Sequence, residues 1–252
     1  ITGIDYYEHP RLCRQRLAEM YPQLNVDIPA SDDRLPRPRL SLDGQAEDTD
    51  EEGRRVVRWA DGVTFHWDHG TSFATVEDVL RYSPLQTPNL TNSPIVCAWD
   101  YTSEEALYDR FRADYPAEWG DRAPEGSVAH VGTYQTMFMW PLLTFGWELF
   151  LEACLDPRFE RVMDEFAELN RRVFRAFARL PVNFVHCHDD IVNSRGPICS
   201  RQWMHKFIFP RYEEFVGTVR AAGKEVIFIS DGCMDAYADD VFACGARGIL
   251  TE

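Results

Sequence analysis

The chain has 252 residues, 41 acidic against 26 basic, and a formal net charge of −15; without a concentrated cationic face it excludes a protein that grips nucleic-acid phosphates. Its 45% hydrophobic content is enough for a real core, and a length near 250 suits two small domains or one large α/β barrel. Only two basic residues are lysines, Lys206 and Lys224, and neither falls at the end of a predicted strand, which argues against Schiff-base chemistry.

The N-terminal segment reads as a helix carrying Leu12, Leu17 and Met20 and ending before Pro22. Residues 27–55 then run polar and proline-rich, with Asp32-Asp33, Pro36, Pro38 and the acidic stretch from Glu47 to Glu52, and read as a solvated surface excursion. Short β-like runs follow at Gly62–Trp67, Pro94–Trp99 and Ser127–Gly132. The apolar stretch Val131–Leu155 raises the membrane question, but Pro141, Gly146, Glu148 and Glu152 interrupt it, so a buried wall beside a cavity is expected. Asp156 as N-cap and Pro157 at the first position open a long amphipathic helix, in which Phe159, Val162, Met163, Phe166, Leu169, Val173, Phe177 and Leu180 recur at three- and four-residue steps.

The last third alternates regularly. Asn183–His188 is a strand, Ser200 caps a helix running to Ala222 and kinked by Pro210, Glu225–Ser230 is a strand, Asp235–Ala243 a short helix and Gly248–Thr251 a strand. Such βαβ units mean a parallel sheet, and six strands favour a (β/α) barrel over an open sheet; no GxGxxG follows a strand, which disfavours a Rossmann fold. The domain expectation is a single barrel over residues 1–252, with residues 1–60 as a helical and acidic extension. The barrel needs two further βα units beyond Gly248–Thr251, so its last strands are expected to lie outside the chain.

Reactive groups of a barrel gather at the C-terminal ends of its strands. Those tips are His66-Trp67-Asp68-His69, Trp99-Asp100, Tyr134, His186-Cys187-His188-Asp189-Asp190, Ser230-Asp231-Gly232-Cys233 and Glu252. His186 and His188, two apart, share a strand face; they suit Zn²⁺, acid–base work, or plain hydrogen-bonded packing. Asp189 and Asp190 open a loop, one of them functional and the other free to cap the turn. Asp231 faces the cavity, while Gly232 allows a positive φ or close approach to a ligand. Arg195 is placed to grip a carboxylate, Cys233 could supply a thiolate, and Cys199 and Cys244 read as packing cysteines. Seven cysteines without a CxxC pair suggest reduced thiols and a cytoplasmic protein.

From Phe145 to Glu252 the order and spacing of motifs resemble the uroporphyrinogen decarboxylase superfamily, and most nearly its cobalamin-dependent (corrinoid) methyltransferase-like branch. The residues that carry this are Gly146-Trp147-Glu148-Leu149-Phe150-Leu151, Asp156-Pro157, His188-Asp189-Asp190-Ile191, Gly196-Pro197-Ile198-Cys199-Ser200, Phe207 to Tyr212, Gly223-Lys224 and Val226 to Gly232. The resemblance implies a (β/α)₈ TIM barrel with a deep cleft at its C-terminal mouth. It departs from the porphyrinogen decarboxylases, whose N-terminal arginine motif is matched only by Arg14-Gln15-Arg16. It also departs from the thiol-directed methyltransferases, whose zinc-binding His-x-Cys is replaced here by Ile229 and Asp231.

The activity so implied is transfer of a methyl group from a small methoxylated or methylamine-type donor to a corrinoid protein. His188 or Asp231 would be the general acid and Asp189 the residue that orients it. The apolar wall Met137–Trp147 would shape the donor pocket, with His186, Asp190, Tyr134, Asp100, Trp147, Arg195, Cys233 and Glu252 as binding residues. No Asp-x-His-x-x-Gly motif is present, so the corrinoid is expected on a separate partner protein. Zinc remains open, with His186, His188 and Asp231 as its candidates. The alternatives are a cofactor-free decarboxylase of porphyrin biosynthesis and a non-catalytic barrel that binds a corrinoid or tetrapyrrole. Neither nucleic acid nor membrane is expected as a partner, and a homodimer is left open.

Overall fold

The computed structural model describes residues 3–20, 22, 28–35, 46–49, 55–58, 64–66, 72–88, 99–125 and 128–251. The chain divides into two compact units, residues 1–68 with 124–128, and residues 69–123 with 129–252.

In the first unit, helix α1 spans Pro10–Met20. It has no acidic residue in its first turn, and Asp32 supplies the missing cap: its carboxylate accepts from the N–H groups of Arg11 (2.9 Å) and Leu12 (3.4 Å). The helix buries Pro10 and Cys13, whereas Leu12 and Met20, expected on its core face, are exposed. Strands β1 (Ala46–Thr49), β2 (Arg55–Arg58) and β3 (Thr64–His66) form an antiparallel sheet in chain order. Two sequence expectations are thereby corrected. Part of the acidic stretch, Glu47-Asp48, is a paired strand and not a loop, and the run around Thr64–His66 is antiparallel and not a parallel barrel strand.

The second unit is α/β, built on a parallel sheet of four strands: β4 (His130–Thr133), β5 (Phe184–His188), β8 (Glu225–Ile229) and β9 (Gly248–Leu250). They pair in the order β4-β5-β8-β9, so each new strand joins the same edge as the chain advances. Two very short strands, β6 (Val192–Asn193) and β7 (Gly196–Pro197), form a hairpin after β5.

Helices α2 (Val76–Arg81) and α3 (Glu104–Arg112) precede β4. Between β4 and β5 run α4 (Met139–Phe145), α5 (Trp147–Ala153) and the 21-residue α6 (Phe159–Arg179). Asp156 does turn the chain into α6 by accepting from the Arg158 N–H (2.8 Å), but helical geometry starts three residues later, at Phe159. The apolar stripe of α6 is core: Val162, Met163, Phe166, Leu169 and Phe177 are fully buried. Ser200 caps α7 (Arg201–Phe207) by accepting from the Trp203 N–H (3.2 Å). The helix then breaks at Ile208, and Pro210 sits in the first turn of α8 (Phe209–Ala221), so the expected kink is a full helix junction. Helix α9 (Ala238–Ala243) leads to β9, and α6 packs against α3 and α8.

Alternation along the strands decides which side is dry. Val185, Cys187, Val226 and Phe228 are buried on one face, while Phe184, His186, His188, Ile227 and Ile229 are only partly buried on the other. Both lysines are occupied elsewhere: Lys224, before β8, donates to the Ala178 carbonyl (2.6 Å), and Lys206 in α7 pairs with Glu160 (3.1 Å). No helix among the described residues is long and apolar enough to cross a membrane.

Candidate functional site

The site is set by continuing the period-two alternation past the strand ends. On β5 the buried series Val185, Cys187 extends to Asp189, and the partly buried series His186, His188 extends to Asp190. On β8 the buried series Val226, Phe228 extends to Ser230, and Ile227, Ile229 to Asp231. Backbone pairing of His188 with Ile229 brings the two tips side by side. His188, Asp190 and Asp231 each contribute one potential ligand atom, and these atoms lie within 4.8 Å of one another.

Two bonds hold the group. Asp190 Oδ1 lies 3.2 Å from His188 Nε2 and also accepts from the Asp231 N–H (2.8 Å). The edge of Tyr134, the exposed residue just after β4, meets the His188 ring at a centroid distance of 4.3 Å. Burial works against the His188 cation, but the hydrogen bond and charge of Asp190, with the charges of Asp231 and Asp189, outweigh it and raise its pKa above the usual value.

Behind Asp231, the chain turns at Gly232 with φ +108°. A Cβ there would lie 2.7 Å from the Asn193 carbonyl carbon and oxygen, so the glycine is demanded by the β6–β7 hairpin and not by a ligand. The Cys233 N–H then donates to the Asn193 carbonyl (3.0 Å). Cys233 therefore helps close this turn, and its thiol is outside the three-ligand cluster.

Asp189 has a different job from the one expected of it. It is fully buried, and its carboxylate accepts from the N–H groups of Phe138 (2.7 Å) and Met139 (2.6 Å) and from the hydroxyls of Thr136 and Tyr212. It thus anchors the start of α4 and the α8 tyrosine to the end of β5, and the residue that orients His188 is Asp190. Burial pushes the Asp189 carboxyl up, opposed by its four donors. Thr136 and Tyr212 were not legible as its partners; only the oddity of an aspartate on a buried face pointed to them.

His186 lies two residues back from the cluster. Its ring meets those of His130 (4.7 Å) and Phe184 (4.9 Å), and burial, followed by repulsion from His130 and His188, lowers its pKa. Gly132 makes room for it, since a Cβ there would fall 2.6 Å from the His186 Cβ. Of the zinc candidates His186, His188 and Asp231, the structure brings His188 and Asp231 together with Asp190, while His186 lies outside that group.

The remaining candidates are spread out. Asp100 closes a turn by accepting from the Thr102 N–H (2.9 Å), and the Thr102 side chain, followed by this N–H, lowers its pKa. Arg195 is at the exposed tip of the β6–β7 hairpin, where its N–H donates to Asn193 Oδ1 (2.8 Å). Trp147 opens α5 and is exposed, and the expected donor-pocket wall before it, Met137 to Phe145, is packed core. Trp67, Asp68, His69, residues 94–98 and Glu252 lie outside the described residues.

No protein-family model matches the chain, and no curated protein sequence matches it either. Among solved structures, a methyltransferase from Methanosarcina mazei matches 58% of this chain at 15% identity with a TM-score of 0.43. The match spans 40% of that methyltransferase's length, and a likeness of that size assigns no activity.

Proposed function

We propose that the chain is part of a (β/α)₈-barrel, methyltransferase-like enzyme of the uroporphyrinogen decarboxylase superfamily, which passes a methyl group from a small methoxylated or methylamine-type donor to a corrinoid protein. The observation that carries this reading is the His188–Asp190 pair beside Asp231 at the C-terminal ends of β5 and β8. The resemblance over residues 145–252 supports it, as does a parallel strand order that never reverses.

When a methyl group leaves oxygen or nitrogen, the bonding electron pair stays on that heteroatom, which must be protonated. His188, whose protonated form Asp190 favours, is placed to donate that proton. Asp190 fixes the ring and, through the Asp231 N–H, the position of Asp231. Asp231 is exposed and Tyr134 is also exposed, so the rim is open to a docking partner. When bound, the partner's corrinoid supplies the nucleophile that receives the methyl group.

The test mixes the protein with a reduced corrinoid protein and a panel of methyl donors and follows the corrinoid spectrum. A donor-dependent change that falls on the order of 100-fold in His188→Ala is expected. No spectral change with any donor, or carbon dioxide release from uroporphyrinogen in its place, would overturn the reading.

A further inference from the structure

We propose that Cys154 and Cys199 form a site of reversible oxidative modification, at which a peroxide joins the two thiols in a disulfide between the end of α5 and the segment that enters α7. The inference stands on this thiol pair, outside the strand-tip cluster, and does not rest on the methyl-transfer reading.

The two cysteines are far apart in sequence, yet the second unit folds their side chains together: the Cys154 S–H donates a hydrogen bond to the Cys199 sulfur. Each is held by its own backbone. Cys154 caps α5, with its N–H donating to the Phe150 carbonyl (3.0 Å). Cys199 precedes the α7 cap Ser200, and its carbonyl accepts from the Tyr237 hydroxyl (2.8 Å). The Phe150 and Trp203 rings meet edge to face, with centroids 6.0 Å apart, and keep α5 packed on α7. Both cysteines lie against the core but are only partly buried, so a small oxidant reaches them. A disulfide closes its sulfurs to about 2.05 Å, and for two sulfurs already in contact rotation about the Cα–Cβ bonds supplies that approach.

The same hydrogen bond divides the roles. It lowers the Cys199 pKa, with burial opposing, and raises that of Cys154, so Cys199 is the thiol that ionises and attacks. Two other thiols are turned inward and buried: Cys187 beside Thr136 Oγ1 (3.9 Å) and Cys244 on the Phe209 carbonyl (3.3 Å). In the first step the Cys199 thiolate attacks one peroxide oxygen and the O–O bond breaks. Cys199 becomes a sulfenic acid, and the departing hydroxide takes up the thiol proton as water. The Cys154 sulfur then attacks the Cys199 sulfur, the S–O bond breaks, and the Cys154 proton leaves with the hydroxyl as a second water. Two thiols thus lose two electrons and two protons, and one peroxide gains them. Cys199, a packing cysteine from its sequence alone, is in this reading the reactive half of a transient redox sensor.

Fully reduced chain is exposed to a small molar excess of hydrogen peroxide, remaining thiols are blocked with N-ethylmaleimide, and a tryptic digest is read by mass spectrometry without reductant. Cys154 is the sole cysteine of peptide 123–158 and Cys199 the sole cysteine of peptide 196–201, so the assignment is unambiguous. We expect these two peptides joined, lighter by two hydrogens than their sum, and separated again by dithiothreitol. Joining should be at least about tenfold faster in the folded chain than in guanidinium chloride, because only the fold holds the thiols together. In Cys154→Ser, dimedone, which captures sulfenic acids, should label Cys199. In Cys199→Ser its label on Cys154 should be at least about tenfold weaker. Circular dichroism verifies that both variants are folded, and the wild-type link is read without either. Recovery of both peptides as blocked free thiols, joining of either one to another cysteine or a second chain instead, equal rates in folded and unfolded chain, or a label on Cys154 as strong as that on Cys199 overturns the proposal. None of these readouts involves a methyl donor or a corrinoid, so each holds whether or not methyl transfer is found.

Discussion

At the scale of single residues, two adjacent aspartates do opposite work because one peptide step on an extended chain reverses the side-chain direction. Asp189 continues the buried series of β5 and satisfies four donors, while Asp190 continues the open series and holds His188. Removing the buried one leaves two hydroxyls and two backbone N–H groups without an acceptor, so Asp189→Ala should cost about 3 kcal/mol of stability in a denaturant titration. Loss under about 1 kcal/mol would mean that water replaces the carboxylate without penalty.

Asp190 has instead a signature in pH. Because its hydrogen bond and charge raise the His188 pKa, the protonated form is favoured by folding. The stability it adds is complete below the usual histidine pKa and is lost as pH rises through the raised folded value. Activity that needs the His188 proton should decline over that same upper window. In Asp190→Asn the carboxylate charge is gone, so the alkaline limb of the pH–rate profile should move to lower pH, with the fold retained and the melting point lowered only at pH values where His188 is protonated. A limb that stays in place would remove His188 as the proton donor.

At the scale of elements, the strands and helices of the last third were legible because hydrophobic bodies, polar tips and capping residues all agreed. Ser200 and Pro210 located a helix start and a helix junction, and the α6 stripe was buried as its period required. The antiparallel β1–β3 sheet was not legible, since Ala46–Thr49 carries two acids and Arg55–Arg58 two arginines, leaving no apolar face to read. The site was half legible. His188 and Asp231 followed from alternation, but treating Asp189-Asp190 as a loop stopped that alternation two residues early. Backbone needs were also hidden, because a glycine in a sequence does not say what it must avoid. Gly232 sits at φ +108° against Asn193, so Gly232→Ala combines left-handed strain with a clash and should destabilise by at least about 2 kcal/mol. Its effect should extend to the cluster, since it holds Asp231 in place.

At the scale of the whole molecule, the dominant quantity is charge. If every one of the 26 basic residues found an acidic partner, 15 of the 41 acids would still be uncompensated. The ion pairs observed are mostly between exposed side chains, such as Arg110–Asp114 and Arg158–Glu77, and such pairs contribute from nothing to about 1 kcal/mol. Added salt screens both terms, weakening these pairs and also the self-repulsion of the acidic excess. The first effect is small and confined to contacts a few ångströms long; the second acts over distances comparable with the Debye length, about 10 Å at 0.1 M. Repulsion should therefore dominate, and the thermal midpoint at pH 7 should rise by about 2–5 °C between 20 and 300 mM NaCl. A midpoint that falls with salt would show that the surface ion pairs act as a stabilising network, and the acidic excess would then be a property of solubility and not of stability.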